Sequence, residues 1–215
     1  MKKLRVLELY AGTRSIGKAF EAQGHEVISV EWDRDFEDID EYADINDLTA
    51  EYLTEKYGHF DVIWASPDCS KFSVAAIGRH WIQGTNLPKT EDTAKALKLL
   101  EHTVKLIKDL NPTYYFIENP RGKMRKMDCM QELPRHTVTY CQYGDARMKP
   151  TDLWTNHPDP QFKPACKNGE KCHVAAPRGS QTGTQGIKGS KDRSRIPQLL
   201  CEHVVKVCEE YINEN

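Results

Sequence analysis

The chain has 215 residues, 39% hydrophobic and 29% charged, with 30 Lys and Arg against 32 Asp and Glu. That length carries one domain with a full core, and the composition excludes wholesale disorder. No apolar run approaches the ~20 residues that span a bilayer. Met1-Lys2-Lys3-Leu4 enters a strand-like run without a signal-peptide pattern, and seven scattered cysteines argue for reduced thiols rather than a disulfide framework. A cytosolic protein with no membrane segment is expected.

Leu4–Tyr10 reads as a strand, Ile16–Gln23 as a short helix closed by Gly24, and Glu26–Val30 as a second strand ending at Glu31-Trp32-Asp33. Leu48–Tyr57 is helical and stops at Gly58, and Asp61–Ala65 is a strand. Apolar residues at helical spacing predict a helix over Thr93–Leu110, stopped by Asn111-Pro112. Tyr114–Ile117 is a strand running into Glu118-Asn119-Pro120, and Thr137–Cys141 and Asp152–Thr155 look like two later strands. Strands alternating with helices predict an open α/β sheet covered on both faces. Residues 158–194 are rich in Pro, Gly, Lys and Ser, lack a sustained period, and predict a long loop or small insert. Pro197 opens a final amphipathic helix, with Leu199, Leu200, Val204, Val207, Cys208 and Tyr211 on or near one face. The expected organisation is a main α/β unit over residues 1–157, a short basic region over 158–195, and a helix over 196–215 packing on the main unit.

The net charge of −2 hides an asymmetry. Glu31–Asp61 holds twelve acidic and two basic residues; Arg121–Lys149 holds seven basic and three acidic; Lys163–Arg195 holds eight basic and two acidic. One side of the molecule would repel a polyanion and the other attract it.

Four features lie at predicted strand ends, where ligands bind in open α/β sheets. Glu8-Leu9-Tyr10-Ala11-Gly12-Thr13-Arg14-Ser15-Ile16-Gly17 is a strand, a turn and a helix start, with small residues that let backbone approach a ligand. Glu31, 19 residues past Gly12, suits a ribose diol. Ser66-Pro67-Asp68-Cys69-Ser70-Lys71-Phe72-Ser73 places a thiol in a Pro-bounded turn, as a nucleophile is placed. Glu118 ends a neighbouring strand, and a thiol with a carboxyl group suits covalent addition to a ring whose nitrogen must be protonated.

Together these residues resemble the DNA cytosine-C5 methyltransferases, most closely the small phage-encoded forms. Asp61–Ser73 looks like the family's Pro-Pro-Cys-Gln-x-Phe-Ser motif, and Phe116–Gly122 like its Glu-Asn-Val motif. Glu8–Gly17 is similar to its cofactor motif, Asp-Leu-Phe-Ala-Gly-x-Gly-Gly, and Tyr143-Gly144-Asp145-Ala146-Arg147 to the motif carrying its Gln-x-Arg arginine. The resemblance covers residues 4–156 with the motifs in family order. It implies a Rossmann-like methyltransferase fold with a small irregular C-terminal insert and a final helix. The implied cofactor is S-adenosylmethionine, held by Tyr10, Ala11, Gly12, Thr13, Arg14, Glu31, Trp32, Asp44, Ile45, Ser66 and Pro67. Cys69 would add to C6 of cytosine, Glu118 would bond N3 and the exocyclic amine, Arg147 would bond O2, and Asn119 would brace the site. DNA is the implied partner, with the base flipped out of the stack, in the cytoplasm of a bacterial or phage-infected cell. Gly78–Pro88 is expected to be a mobile loop that closes over the base.

The chain departs from the family in places. Asp68 replaces the second proline; a carboxylate beside a thiol raises its pKa unless a cation compensates, and Lys71 and Arg147 are the candidates. Ser70 replaces the glutamine, and Arg14 and Ser15 replace the closing glycines of the cofactor loop. The recognition region is short, so sequence readout is expected to be minimal or supplied by a partner protein or oligomer. Lys71, Arg178, Lys188, Lys191, Arg193 and Arg195 would contact DNA phosphates. Cys166, Cys172 and His173, completed by His157 or Cys141, have ligand chemistry. Their spacing is not a standard one and adjacent ligands are awkward, so no metal is expected. Alternative readings are the same site acting on RNA or a free nucleotide, an amino-methyltransferase, and a catalytically weak DNA-binding relative.

Overall fold

The computed structural model describes residues 2–175, 192 and 194–214. Among them a single seven-stranded sheet runs in the order β3-β2-β1-β4-β5-β7-β6. Its strands are β1 (Arg5–Leu9), β2 (Glu26–Glu31), β3 (Glu41–Tyr42), β4 (Val62–Ala65), β5 (Tyr114–Pro120), β6 (Arg135–Thr139) and β7 (Pro150–Thr155). The pairs joining β3 through to β5 are parallel, while β7 runs antiparallel to both β5 and β6. The helices are α1 (Ser15–Ala22), α2 (Ala50–Tyr57), α3 (Ile77–His80), α4 (Glu91–Leu110) and α5 (Gln198–Glu214).

Period-two alternation divides the strands between two cores. Leu7, Leu9, Ile63, Ala65 and Ile117 meet Leu53 of α2 and Leu100, Val104 and Ile107 of α4. Val6, Val62, Trp64, Tyr114 and Phe116 meet Ile16 and Phe20 of α1 and Leu200, Val204 and Cys208 of α5. Each wholly buried aliphatic side chain contributes ~1.5–3 kcal/mol. The helix starts follow from capping. Thr49 Oγ1 accepts from Tyr52 N at 3.2 Å ahead of α2, and Thr90 Oγ1 accepts from Thr93 N at 3.2 Å ahead of α4. Asn111, in the left-handed region, closes α4.

The α/β expectation holds, with local differences. β6 ends at Thr139 rather than Cys141, because Tyr140–Tyr143 wind into a 3₁₀ turn in which Asp145 N donates back to Tyr140 O. The two-residue β3 is too short to leave a periodic trace. Leu199, expected on the buried face of the final helix, is 50% exposed, and Cys201 and Val205 fill that face instead.

The parallel sheet changes direction between β1 and β4, and their carboxyl ends open the crevice where the candidate residues gather. Beyond β5, Arg125 makes a bidentate pair with the fully buried Asp152 of β7, Nε–Oδ2 at 2.9 Å and Nη2–Oδ1 at 2.5 Å. Thr137 Oγ1 donates to the same carboxylate at 2.8 Å. This satisfied buried pair fixes the turn after β5 to the antiparallel edge.

Candidate active site

Cys69 lies four residues past the end of β4, half-buried, in a turn closed by Phe72 N and Ser73 N donating to its carbonyl at 3.0 and 2.9 Å. Asp68 shapes the same turn: its Oδ1 accepts from Ser70 N at 3.0 Å, and its Oδ2 accepts from the Ser70 hydroxyl. Glu118 lies on the adjacent β5, one step beyond the Ala65–Ile117 register pair. It is 6% exposed, accepts from Tyr140 Oη at 3.0 Å and also bonds the Ser66 hydroxyl. Ser66 in turn accepts from Trp64 Nε1 at 2.7 Å. Asn119 Nδ2 donates to Pro67 O at 2.8 Å, tying the two strand ends together.

The backbones also touch. A Cβ on Gly122 would lie 2.3 Å from the carbonyl oxygen of Phe72, a distance no side chain tolerates, and Lys123 N donates to that same oxygen at 2.7 Å. Glycine is required there by close approach. The Cys69 turn and the Glu118 segment therefore form one packed unit.

Burial, then the charges of Asp68 and Glu118, push the Cys69 thiol above its usual range, and Lys149 opposes them. Burial likewise raises Glu118 above the usual carboxylate range, against the lowering pull of Lys149, Tyr140 and Ser66. The cation acting on both groups is thus Lys149, and neither Lys71 nor Arg147 is among the main influences on the thiol. Lys149 sits at a positive φ of 30° just before β7, its Nζ 4.6 Å from the centre of the Tyr140 ring. Burial lowers its own pKa, with Glu118 and Cys69 acting the other way. The sequence reading missed it because it belongs to no motif and stands in a basic stretch that reads as solvated surface.

Arg147 is 6% exposed and held by Asp145, with Nε–Oδ1 at 2.9 Å and Nη2–Oδ2 at 2.5 Å. Against the upward push of burial, the guanidinium holds Asp145 below the usual carboxylate range. Arg147 Nη1 is buried with no hydrogen-bond partner among the described residues, leaving its two N–H groups for a ligand.

Across the crevice, Tyr10, Gly12 and Arg14 have φ of 58°, 50° and 57°. Two non-glycine residues in the left-handed region mark a strained loop of the kind found at ligand sites. Arg14 adopts a left-handed conformation of the kind glycine favours, and its buried side chain is held by Glu21. Ala11 N donates to Val30 O at 3.0 Å. Glu31 accepts from Gly12 N, Trp32 N and Asp33 N at 3.0–3.1 Å, joining the loop to the end of β2. Thr13 Oγ1 lies 3.1 Å from Ser15 Oγ, and Tyr10 Oη 2.7 Å from Thr103 Oγ1. Trp32 beside Glu31 is 69% exposed. Asp44 caps a short 3₁₀ turn through Asn46 N, and Ile45 is buried.

With this geometry in view, the comparisons are specific. Residues 4–134 match the family described as C-5 cytosine-specific DNA methylase. A protein of Frog virus 3 (isolate Goorha), named "Probable DNA (cytosine-5)-methyltransferase", is 31% identical over 228 residues, spanning 95% of this chain and 100% of that one. The chain belongs to the C-5 cytosine-specific DNA methylases. The fold of this methylase is similar to that of a candidate DNA modification methyltransferase encoded within an E. coli prophage, with TM-score 0.53 and 18% identity over 71% of this chain and 46% of that one. It is also similar to the Entamoeba histolytica methyltransferase EhMeth, with TM-score 0.53 and 11% identity over 72% and 53%. The sheet is thus the Rossmann-like methyltransferase sheet, and the methylase spans about half the length of these two solved relatives.

Of the residues expected to meet DNA, Lys71 is half-buried two residues past Cys69, and Arg195 is exposed and paired with Asp192 at 3.5 Å. Arg178, Lys188, Lys191 and Arg193 lie outside the described residues. The Gly78–Pro88 segment, expected to be mobile, is docked. Trp81 is buried against Phe72 and donates to Lys71 O at 2.7 Å, and Lys123 Nζ bonds Thr85 O and Asn86 Oδ1 at 2.7 and 2.8 Å. No described helix is long and apolar enough to cross a membrane.

One buried carboxyl lies below the crevice. Glu8 of β1 is 2% exposed, and Gly17 of α1 packs so closely that a Cβ there would lie 2.4 Å from Glu8 Oε2. Burial raises Glu8 from 4.5 to about 7, against bonds from the Gly17 and Ile16 amides. The folded state therefore binds this proton more tightly than the unfolded state does. That contribution is complete below about pH 4.5 and is lost as pH rises to about 7. Glu8→Gln, which mimics the neutral acid, is expected to gain ~3 kcal/mol at pH 8 and little at pH 4.5. Urea unfolding at the two pH values measures the difference; equal gains at both would show that Glu8 is already ionised when folded.

Proposed function

We propose that this methylase transfers a methyl group from S-adenosylmethionine to C5 of cytosine in DNA through a bond between Cys69 and C6. The observation that carries this reading is the joining of a thiol and a buried carboxyl at adjacent strand ends, with one lysine acting on both.

The residues across the crevice fit a nucleoside-bearing donor. The strained Tyr10–Arg14 loop presents backbone, Glu31 keeps acceptor capacity for a ribose diol, and the exposed Trp32 indole is available to an adenine face. Asp44 and Ile45 would border the adenine. When bound, S-adenosylmethionine supplies an electrophilic methyl group.

This chain's residues do the remaining work. The Cys69 thiolate bonds C6, and the electron pair of the C5–C6 double bond shifts toward C5 while Glu118 holds a proton at N3. A carboxyl raised by burial suits that task, since it can share its proton with a ring nitrogen near neutral pH. Arg147, oriented by Asp145, offers Nη1 to O2 of the base. After methylation the C5 proton leaves, the double bond re-forms and the Cys69 sulfur departs. A base stacked in a duplex cannot reach this crevice, so duplex DNA requires flipping.

Incubation of the full chain with methyl-labelled S-adenosylmethionine and DNA, followed by nucleoside analysis, tests donor, acceptor and product together. Label in 5-methylcytosine is expected. Label on the exocyclic amine, or uptake by RNA alone, would overturn the reading.

A further inference from the structure

Cys166, Cys172 and His173 are joined in space by Cys141, one of the two residues that the sequence offered to complete the set. Cys141, in the turn after β6, brings its Sγ to 3.2 Å from Cys166 Sγ and 3.6 Å from Cys172 Sγ. His173 Nδ1 lies 3.6 Å from both Cys166 Sγ and Cys172 Sγ. All four ligand atoms fall within 4.8 Å of one another. Ligands ~2.3 Å (sulfur) and ~2.0–2.1 Å (nitrogen) from a tetrahedral zinc stand roughly 3.6–3.8 Å apart. Three of these four separations, the 3.6 Å ones, match that geometry. Adjacent ligands are feasible here because His173 uses Nδ1, the ring nitrogen nearer the backbone. His157, the other sequence candidate, is committed elsewhere: it is buried, with Nε2 3.2 Å from Val207 O.

A second observation concerns what holds this segment. Residues 163–175 contain no regular helix or strand and are mostly exposed, so apolar burial does little to fix them. They are nevertheless seated on the turn that carries Arg147. Lys163 N donates to Tyr143 Oη at 2.9 Å, Cys166 N to Thr139 Oγ1 at 2.9 Å, and Val174 N to Ala146 O at 2.8 Å. Short segments without a core are commonly stapled by a metal. Gln142 Nε2, 3.7 Å from Cys172 Sγ, is the kind of amide donor that supports a metal-bound thiolate.

We infer that Cys141, Cys166, Cys172 and His173 form a structural zinc site that clamps the irregular segment onto the Asp145–Arg147 turn. All four positions are filled by protein, which marks a structural rather than a catalytic centre.

The test uses the full chain, purified without a histidine tag and without chelator. Elemental analysis is expected to find one zinc per chain, and cobalt substitution to give the visible bands of a tetrahedral thiolate site. Cys172→Ala removes the exposed ligand and leaves the core intact; it is expected to release zinc to a competing chelator at least about tenfold faster. Cys129→Ala, outside the cluster, is expected to match the unaltered chain, and circular dichroism confirms that both variants fold. Three results would overturn the inference: folded protein without stoichiometric metal after zinc supplementation, a Cys141–Cys166 disulfide in its place, or equal zinc retention by Cys172→Ala.

Discussion

Replacing Cys69 by alanine is expected to lower methyl transfer by ~10⁴ or more and to abolish covalent trapping on DNA containing 5-fluorocytosine. Fluorine at C5 cannot leave as a proton does, so the bond from Cys69 to C6 persists once methylation has occurred. Denaturing electrophoresis then reports a protein–DNA adduct. The turn itself should survive the change, because its hydrogen bonds use the backbone carbonyl of residue 69 and the Asp68 carboxylate rather than the thiol. Glu118→Gln is expected to cost ~10²–10⁴ in rate, since it keeps an amide donor but removes the proton held for N3. Full methyl transfer by Cys69→Ala would sink the covalent route and favour direct methylation of an amine.

The second large effect concerns the charges around that thiol. Lys149→Met is expected to lower methyl transfer at pH 7 by ~10–100-fold, because it removes the cation that opposes burial, Asp68 and Glu118 at Cys69. The sign is set by the thiolate. The Cys69 pKa lies above the usual thiol range, so the reactive fraction near neutrality is small and grows about tenfold per pH unit. Loss of Lys149 moves the titration further up. Asp68→Asn, which keeps an acceptor for Ser70 N, moves it down and is expected to speed the reaction at pH 7. The pH dependence of Cys69 alkylation, followed on its peptide by mass spectrometry, reads these shifts without requiring turnover. Unchanged titration in both variants would remove Lys149 and Asp68 from the account.

Much of the fold was legible because strand and helix periods are properties of neighbouring residues. The runs at Leu4–Tyr10, Asp61–Ala65 and Tyr114–Ile117 became the central parallel strands, and the α4 pattern stopped where Asn111 caps it. The nearness of Cys69 and Glu118 was legible because each follows a strand that a local pattern reveals. The site was not legible where partners come together only in space. Lys149 joins Cys69 from a different strand end, Asp145 claims the guanidinium expected to offset Asp68, and Cys141 meets Cys172 across 31 residues of chain. The tilt of Arg14 into a left-handed conformation was likewise hidden, since local propensity argues against it.

The contact between Gly122 and the Phe72 carbonyl has a consequence for how this enzyme can be altered. The Cys69 turn and the Glu118 strand end are packed backbone to backbone, so the proposed nucleophile and the proposed acid share one frame. Efforts to retarget the enzyme to another pyrimidine must therefore change side chains within a fixed frame. An inhibitor that wedges the two apart would have to break main-chain packing rather than shift a loop.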